Sequence, residues 1–109
     1  MTETSIQREI RLAIGSMSDV VAWRNNVGTA MHARGGVVRY GLAIGSGDLI
    51  AIMRPGIFVS IEVKTPHGRE TPEQRLWAEL VRSMGGHAIV VRSVEDCVAQ
   101  LEGIRRERR

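Results

Sequence analysis

The stretch 57–92 constrains the fold more than any other part of the chain. Ile57-Phe58-Val59-Ser60-Ile61-Glu62-Val63-Lys64 is an apolar, β-branched run closed off by Pro66, and it reads as a strand. Thr71 is an N-cap, Pro72 suits the first helical position and Gln74 completes a capping box. Leu76, Trp77, Leu80, Val81 and Met84 recur at helical spacing as the expected buried stripe, and Gly85-Gly86 ends the helix. Residues 87–92 return as an apolar strand. A strand, a crossover helix and a second strand imply a parallel, right-handed unit.

The remaining elements fit around that unit. Residues 5–17 are expected to be a helix with Ile6, Ile10, Ala13, Ile14 and Met17 on one apolar stripe. Glu9 lies on the border of the stripe, about 60° from Ile6 at ~100° per residue. Residues 20–24 and 37–40 look like short strands, and the glycine-bearing stretch 25–36 between them like a flexible loop. Residues 41–47 form a turn-rich approach to a strand over 48–53. Arg54-Pro55-Gly56 then turns the chain into the 57–64 strand as an antiparallel hairpin. Ser93 caps a last helix, with Asp96 three residues on and Val94, Cys97, Val98, Leu101 and Ile104 as its core face. The expected class is α/β: a mixed sheet flanked by helices, in the order helix, strands, hairpin, helix, strand, helix.

Composition narrows the possibilities further. At 109 residues, 43% hydrophobic and 25% charged, the chain is an ordinary single-domain sequence rather than a disordered or low-complexity one. No apolar run approaches the ~20 residues of a membrane span. Residues 1–11 lack an apolar signal core, so the reading is cytosolic, with no membrane partner. The single cysteine, Cys97, cannot make an internal disulfide, and it reads as core rather than nucleophile. His32, His67 and His87 have no zinc-ligand spacing, and Gly45-Ser46-Gly47 lacks the Gly-Lys-Ser/Thr of a nucleotide-binding loop. A chain of this size buries only about 60–70% of its surface, which leaves room for a dimer. The net charge of +3 resides in residues 105–109, which suit either a phosphate backbone or a solvated end. Residues 1–104 are therefore read as the domain and 105–109 as a basic tail. Fourteen of the fifteen cationic side chains are Arg; Lys64 is the exception.

Lys64 directs attention to its own strand. Period 2 places Glu62 and Lys64 on one face, about 6.6–7 Å apart along the strand. Such a pair is often only a solvated ion pair, yet this strand is apolar enough to be covered, where free charge is costly. Asp48 opens the neighbouring hairpin strand. Asp48 and Glu62 offer hard oxygen ligands, with the Val63 carbonyl beside them, a donor set suited to Mg²⁺. A metal held there would polarise a phosphoryl oxygen and help generate hydroxide. A nearby Lys can orient the water and stabilise the charged transition state, and it can shuttle a proton, which Arg cannot.

Asp48 followed by Glu62-Val63-Lys64 resembles the PD-(D/E)-x-K phosphodiesterase pattern. The continuation Thr65-Pro66-His67-Gly68-Arg69-Glu70-Thr71-Pro72-Glu73-Gln74, the Trp77 helix and Ile89-Val90-Val91-Arg92-Ser93 are similar to the VRR-NUC (virus-type replication-repair nuclease) family. The resemblance implies a restriction-endonuclease-like fold and hydrolysis of DNA phosphodiesters with Mg²⁺ or Mn²⁺, leaving a 5′-phosphate. It implies that Asp48 and Glu62 bind metal, that Lys64 is catalytic, that Glu9 is a further acid at the metal, and that Gln74 points toward the site. Small members of the family look like phage or bacterial proteins that form homodimers and cut branched DNA such as four-way (Holliday) junctions. Arg39, Tyr40, His67 and Arg69, with Arg24 and Arg34, are candidates to line a nucleic-acid groove. One departure stands out: the family's Pro before the Asp is Gly47 here. The rival readings are a catalytically inactive nucleic-acid-binding module of the same fold, and a structural protein whose Glu-x-Lys is only a surface pair.

Overall fold

The computed structural model describes residues 2–107. Its first element, α1 (Glu3–Gly15), starts two residues earlier than the apolar periodicity indicates, because Thr2 and Ser5 cap it reciprocally. The Ser5 N–H donates to Thr2 Oγ1, and the Thr2 N–H to Ser5 Oγ, each at 3.1 Å. Ile6, Ile10 and Ile14 are buried, and Met17 packs on the same core from beyond the helix end.

Six strands and two further helices follow: β1 (Val20–Arg24), β2 (Gly28–Met31), β3 (Val37–Tyr40), β4 (Leu49–Met53), β5 (Ile57–Val63), α2 (Pro72–Ser83), β6 (His87–Val91) and α3 (Val94–Glu107). The main sheet runs β1-β4-β5-β6, antiparallel except for the parallel β5–β6 pair. The expected hairpin and the α2 crossover are both present. Leu49, Ala51, Met53, Val59, Ile61 and Val63 turn one sheet face into the core beneath α1 and α3, where Cys97, Leu101 and Ile104 complete it. Burial, with a smaller push from Asp96, raises the Cys97 thiol to about 12, which suits a packing role. Val98, expected in this core, is exposed.

The other sheet face is covered only in part. Ala78 and Val81 of α2 are buried against Ala88, with Phe58 and Trp77 packed beside them. Leu76, Leu80 and Met84, expected in the stripe, are exposed. Two polar contacts explain the rotation of the helix: Gln74 reaches Glu62 and Trp77 reaches Ser60, so residues 74, 77, 78 and 81 face the sheet. Beyond the reach of α2, Val21, Trp23 and Ile52 on β1 and β4 remain exposed.

The stretch 25–36 is not all loop. β2 pairs antiparallel with β3 as a separate two-stranded sheet, Gly28 opposite Tyr40 and Met31 opposite Val37. At the other end of the chain, Arg105 and Arg106 belong to α3. The Arg105 guanidinium forks onto Asp19, with Nε to Oδ2 at 2.6 Å and Nη2 to Oδ1 at 2.9 Å, and this bond holds the Asp19 carboxyl below its ordinary range. Residues 108 and 109 of the expected tail lie outside the described residues. No helix among the described residues is long and apolar enough to cross a membrane.

Candidate active site

Hairpin register assembles the centre. Leu49 pairs with Ile61, so one step further Asp48 stands opposite Glu62 at the open end of β4 and β5. Directly opposed residues have Cβ atoms about 4.5–5.5 Å apart. Asp48 Oδ2 accepts the Val63 N–H at 2.7 Å, which fixes the carboxylate against β5. In a strand a residue's N–H and C=O point to the same side, so the Val63 carbonyl also faces Asp48. Lys64, 8% exposed, keeps its backbone on β6 through a 2.9 Å bond from its N–H to the Val91 carbonyl. Its Nζ lies 3.7 Å from Glu62 Oε1.

Glu62 is the perturbed group. Burial, and then the charge of Asp48, push its carboxyl up to about 8, against the pull of Lys64. Gln74 Nε2 donates to Glu62 Oε1, while Gln74 Oε1 accepts the Thr71 N–H at 2.8 Å. One side chain thus caps α2 and orients the acid. The charge of Asp48 raises the proton affinity of Glu62, and two opposed carboxylates are a donor set that would suit a divalent cation. Among the described residues no group of three or more His, Cys, Asp or Glu makes a protein-only cage. Two carboxylates and a carbonyl are what Mg²⁺ commonly takes from a protein, the rest coming from water and substrate phosphate.

The other expected residues are more dispersed. Glu9 is exposed, and its side chain makes no hydrogen bond or ion pair among the described residues. It adjoins Ile10, the centre of the buried stripe, and so points about 100° away from it. Glu3, about 20° from that centre by the same geometry, is the α1 carboxylate whose charge acts on Glu62, as does that of Glu70. Measuring the helix from Ile10 rather than Ile6 singles out Glu3. Arg39, Tyr40, His67 and Arg69 are all exposed: the first two on β3, the other two in the turn after Lys64. Arg92 fixes that turn, its Nη1 donating to the carbonyls of Thr65 at 2.7 Å and Gly68 at 2.6 Å.

Gly47 has a clear physical reason. Its N–H donates to Ser60 Oγ at 3.2 Å, and Trp77 Nε1 donates to the same hydroxyl at 2.8 Å. A Cβ on Gly47 would stand 2.4 Å from Ser60 Oγ and 2.8 Å from the Ile61 carbonyl oxygen. Pro would clash there and lose the donor. Asn25 supplies the stiffness instead, donating to Ser46 Oγ at 2.7 Å and to the Gly47 carbonyl at 2.9 Å. Neither Asn25 nor Ser60 carries a sequence signal of this role. Gly47→Ala is expected to destabilise the domain by about 1–3 kcal/mol through overpacking, read as a lower thermal midpoint; an unchanged midpoint would show that the loop yields freely.

A mixed sheet with two opposed acids and a lysine where its hairpin strands open defines a nuclease fold of the PD-(D/E)xK class. The VRR-NUC domain model matches residues 2–95, and the chain belongs to that family. A solved structure described as a VRR-NUC domain is similar at a TM-score of 0.65 with 19% identity, covering 94% of this chain and 97% of its own. A second, described as a VRR-NUC domain protein, has a TM-score of 0.65 with 17% identity, covering 94% and 87%. No curated protein matches the chain.

Proposed function

We propose that the protein is a metal-dependent DNA endonuclease, hydrolysing phosphodiesters to leave a 5′-phosphate, with branched DNA such as four-way junctions as its substrate. The carrying observation is the opposition of Asp48 and Glu62 with Lys64 Nζ 3.7 Å from the latter. Mg²⁺ or Mn²⁺ held by Asp48, Glu62 and the Val63 carbonyl would supply charge that polarises the phosphodiester and acidifies the attacking water. Lys64 orients that water and balances charge building on the phosphate. Gln74 keeps Glu62 turned toward the cation. Glu3 and Glu9 are the α1 acids to test as further contributors, and Arg39, Tyr40, His67 and Arg69 the DNA contacts.

A homodimer fits this reading: Val21, Trp23 and Ile52 present an apolar sheet face that α2 leaves bare. A light-scattering mass near twice 12.0 kDa supports it, and a mass near 12.0 kDa rejects it.

Labelled linear and four-way-junction DNA incubated with Mg²⁺ tests the activity. Cleavage by the wild type, abolished by EDTA and by Asp48→Ala, is expected. Binding without cleavage by the wild type would favour the inactive-module reading, and cleavage surviving Asp48→Ala would place the site elsewhere.

A further inference from the structure

A second feature adjoins the acids. Gln7, Arg24, Asn25, Asn26, Val27, Tyr40 and Asp48 line a polar groove of about 390 Å³. That volume falls in the range of small-ligand clefts, roughly 300–1,000 Å³. Arg24 ends β1 opposite Leu49, one residue from Asp48. Asn25 is engaged by the loop, but the side chains of Gln7, Arg24 and Asn26 make no hydrogen bond or ion pair among the described residues. Their donors are free for a ligand.

Tyr40 forms the aromatic wall. It faces Gly28 across the β2–β3 ladder, and a Cβ on Gly28 would lie 2.5 Å from the Tyr40 hydroxyl and 2.7 Å from Cζ. Glycine at 28 therefore lets the ring lie across β2, an arrangement no other residue at that position permits without moving it. The ring also lines a neighbouring cavity with Val27, Leu42 and Ile44, so it separates an apolar pocket from the polar groove. The stretch 20–47, which builds this region, contains Arg24, Arg34 and Arg39 and no Asp or Glu. Its charge suits a polyanion.

From this placement we infer that the groove is the subsite for the nucleotide adjoining the scissile phosphate, with its base stacked on Tyr40 and a neighbouring phosphate held by Arg24. The inference rests on the nuclease reading above and adds a substrate requirement. A base lying on Tyr40 has left the helical stack, which costs free energy in intact duplex and little at an unpaired position. The preferred DNA therefore carries an unpaired nucleotide beside the cut, as at a gap, flap or branch.

The test first maps the wild-type cut on a gapped duplex. Cleavage is then compared on that DNA and on copies with an abasic nucleotide at each position flanking the cut, for wild type, Tyr40→Phe and Tyr40→Ala. Loss of one stacked base is expected to slow the wild type on the order of tenfold at one flanking position. Tyr40→Phe keeps this discrimination. Tyr40→Ala is slowed similarly on normal DNA and no longer distinguishes the abasic copy. The wild-type comparison does not depend on any variant folding. An abasic copy cut at the normal rate by the wild type, or discriminated equally by Tyr40→Ala, overturns the inference. No wild-type cleavage on any DNA would instead overturn the nuclease reading, and equilibrium binding of the same DNAs in EDTA would then decide the stacking question separately.

Discussion

Lys64→Ala is expected to lower the DNA cleavage rate by about 10²–10³-fold, the usual loss when one preorganised electrostatic group is removed from a transition state. DNA binding, measured in EDTA, should survive. The side chain is 10% exposed and its ammonium sits beside Glu62, so its removal takes the lysine charge from the centre and leaves the exposed arginines, the proposed phosphate contacts, in place. Lys64→Arg should not restore the rate. A guanidinium does not give up a proton in proteins, and its planar fork does not match the place of a compact ammonium. Equal rates for wild type and Lys64→Ala would remove this residue from the reaction.

Glu62→Gln should separate activity from stability. The folded protein binds the Glu62 proton more tightly than the unfolded chain does, because the carboxyl is raised from 4.5 to about 8, first by burial and then by Asp48. A raised acid favours the folded state below its unfolded value. That benefit is lost as pH climbs from about 4.5 to about 8. Gln keeps the acceptor for Gln74 and has no charge to bury. The variant should therefore melt close to the wild type near pH 4.5 and above it at pH 8, by several degrees if the difference is about 1 kcal/mol. It should also lose cleavage. Adding Mg²⁺ should raise the wild-type midpoint and leave the variant's nearly unchanged. A variant less stable than wild type at pH 8 would show that the Lys64 pairing outweighs the burial of Glu62.

The crossover unit was legible because its signals are local: the Thr71–Gln74 cap, the Gly85-Gly86 stop and the apolar β5 run all act within a few residues. Asp48, Glu62 and Lys64 were legible because one hairpin register decides whether they meet. β2 was not, since Gly28-Thr29-Ala30-Met31 has little strand preference and is ordered by pairing with β3. The rotation of α2 was also hidden. Leu80 and Met84 are more apolar than Gln74, but the hydrogen bonds of Gln74 and Trp77 decide which side faces the sheet. Glu9 was read from its angle to Ile6, whereas the helix packs about Ile10. Asn25, Ser60 and Arg92 act through partners 13 to 27 residues away, distances that no local pattern spans.

The central claim is that the Asp48–Glu62 pair holds a divalent cation. Anomalous diffraction from crystals soaked in Mn²⁺ tests it most directly. A single peak is expected within about 2.0–2.6 Å of carboxylate oxygens from both Asp48 and Glu62, with the Val63 carbonyl alongside. Saturating Mn²⁺ that leaves no peak between these two acids, or places it on other side chains, would contradict the account.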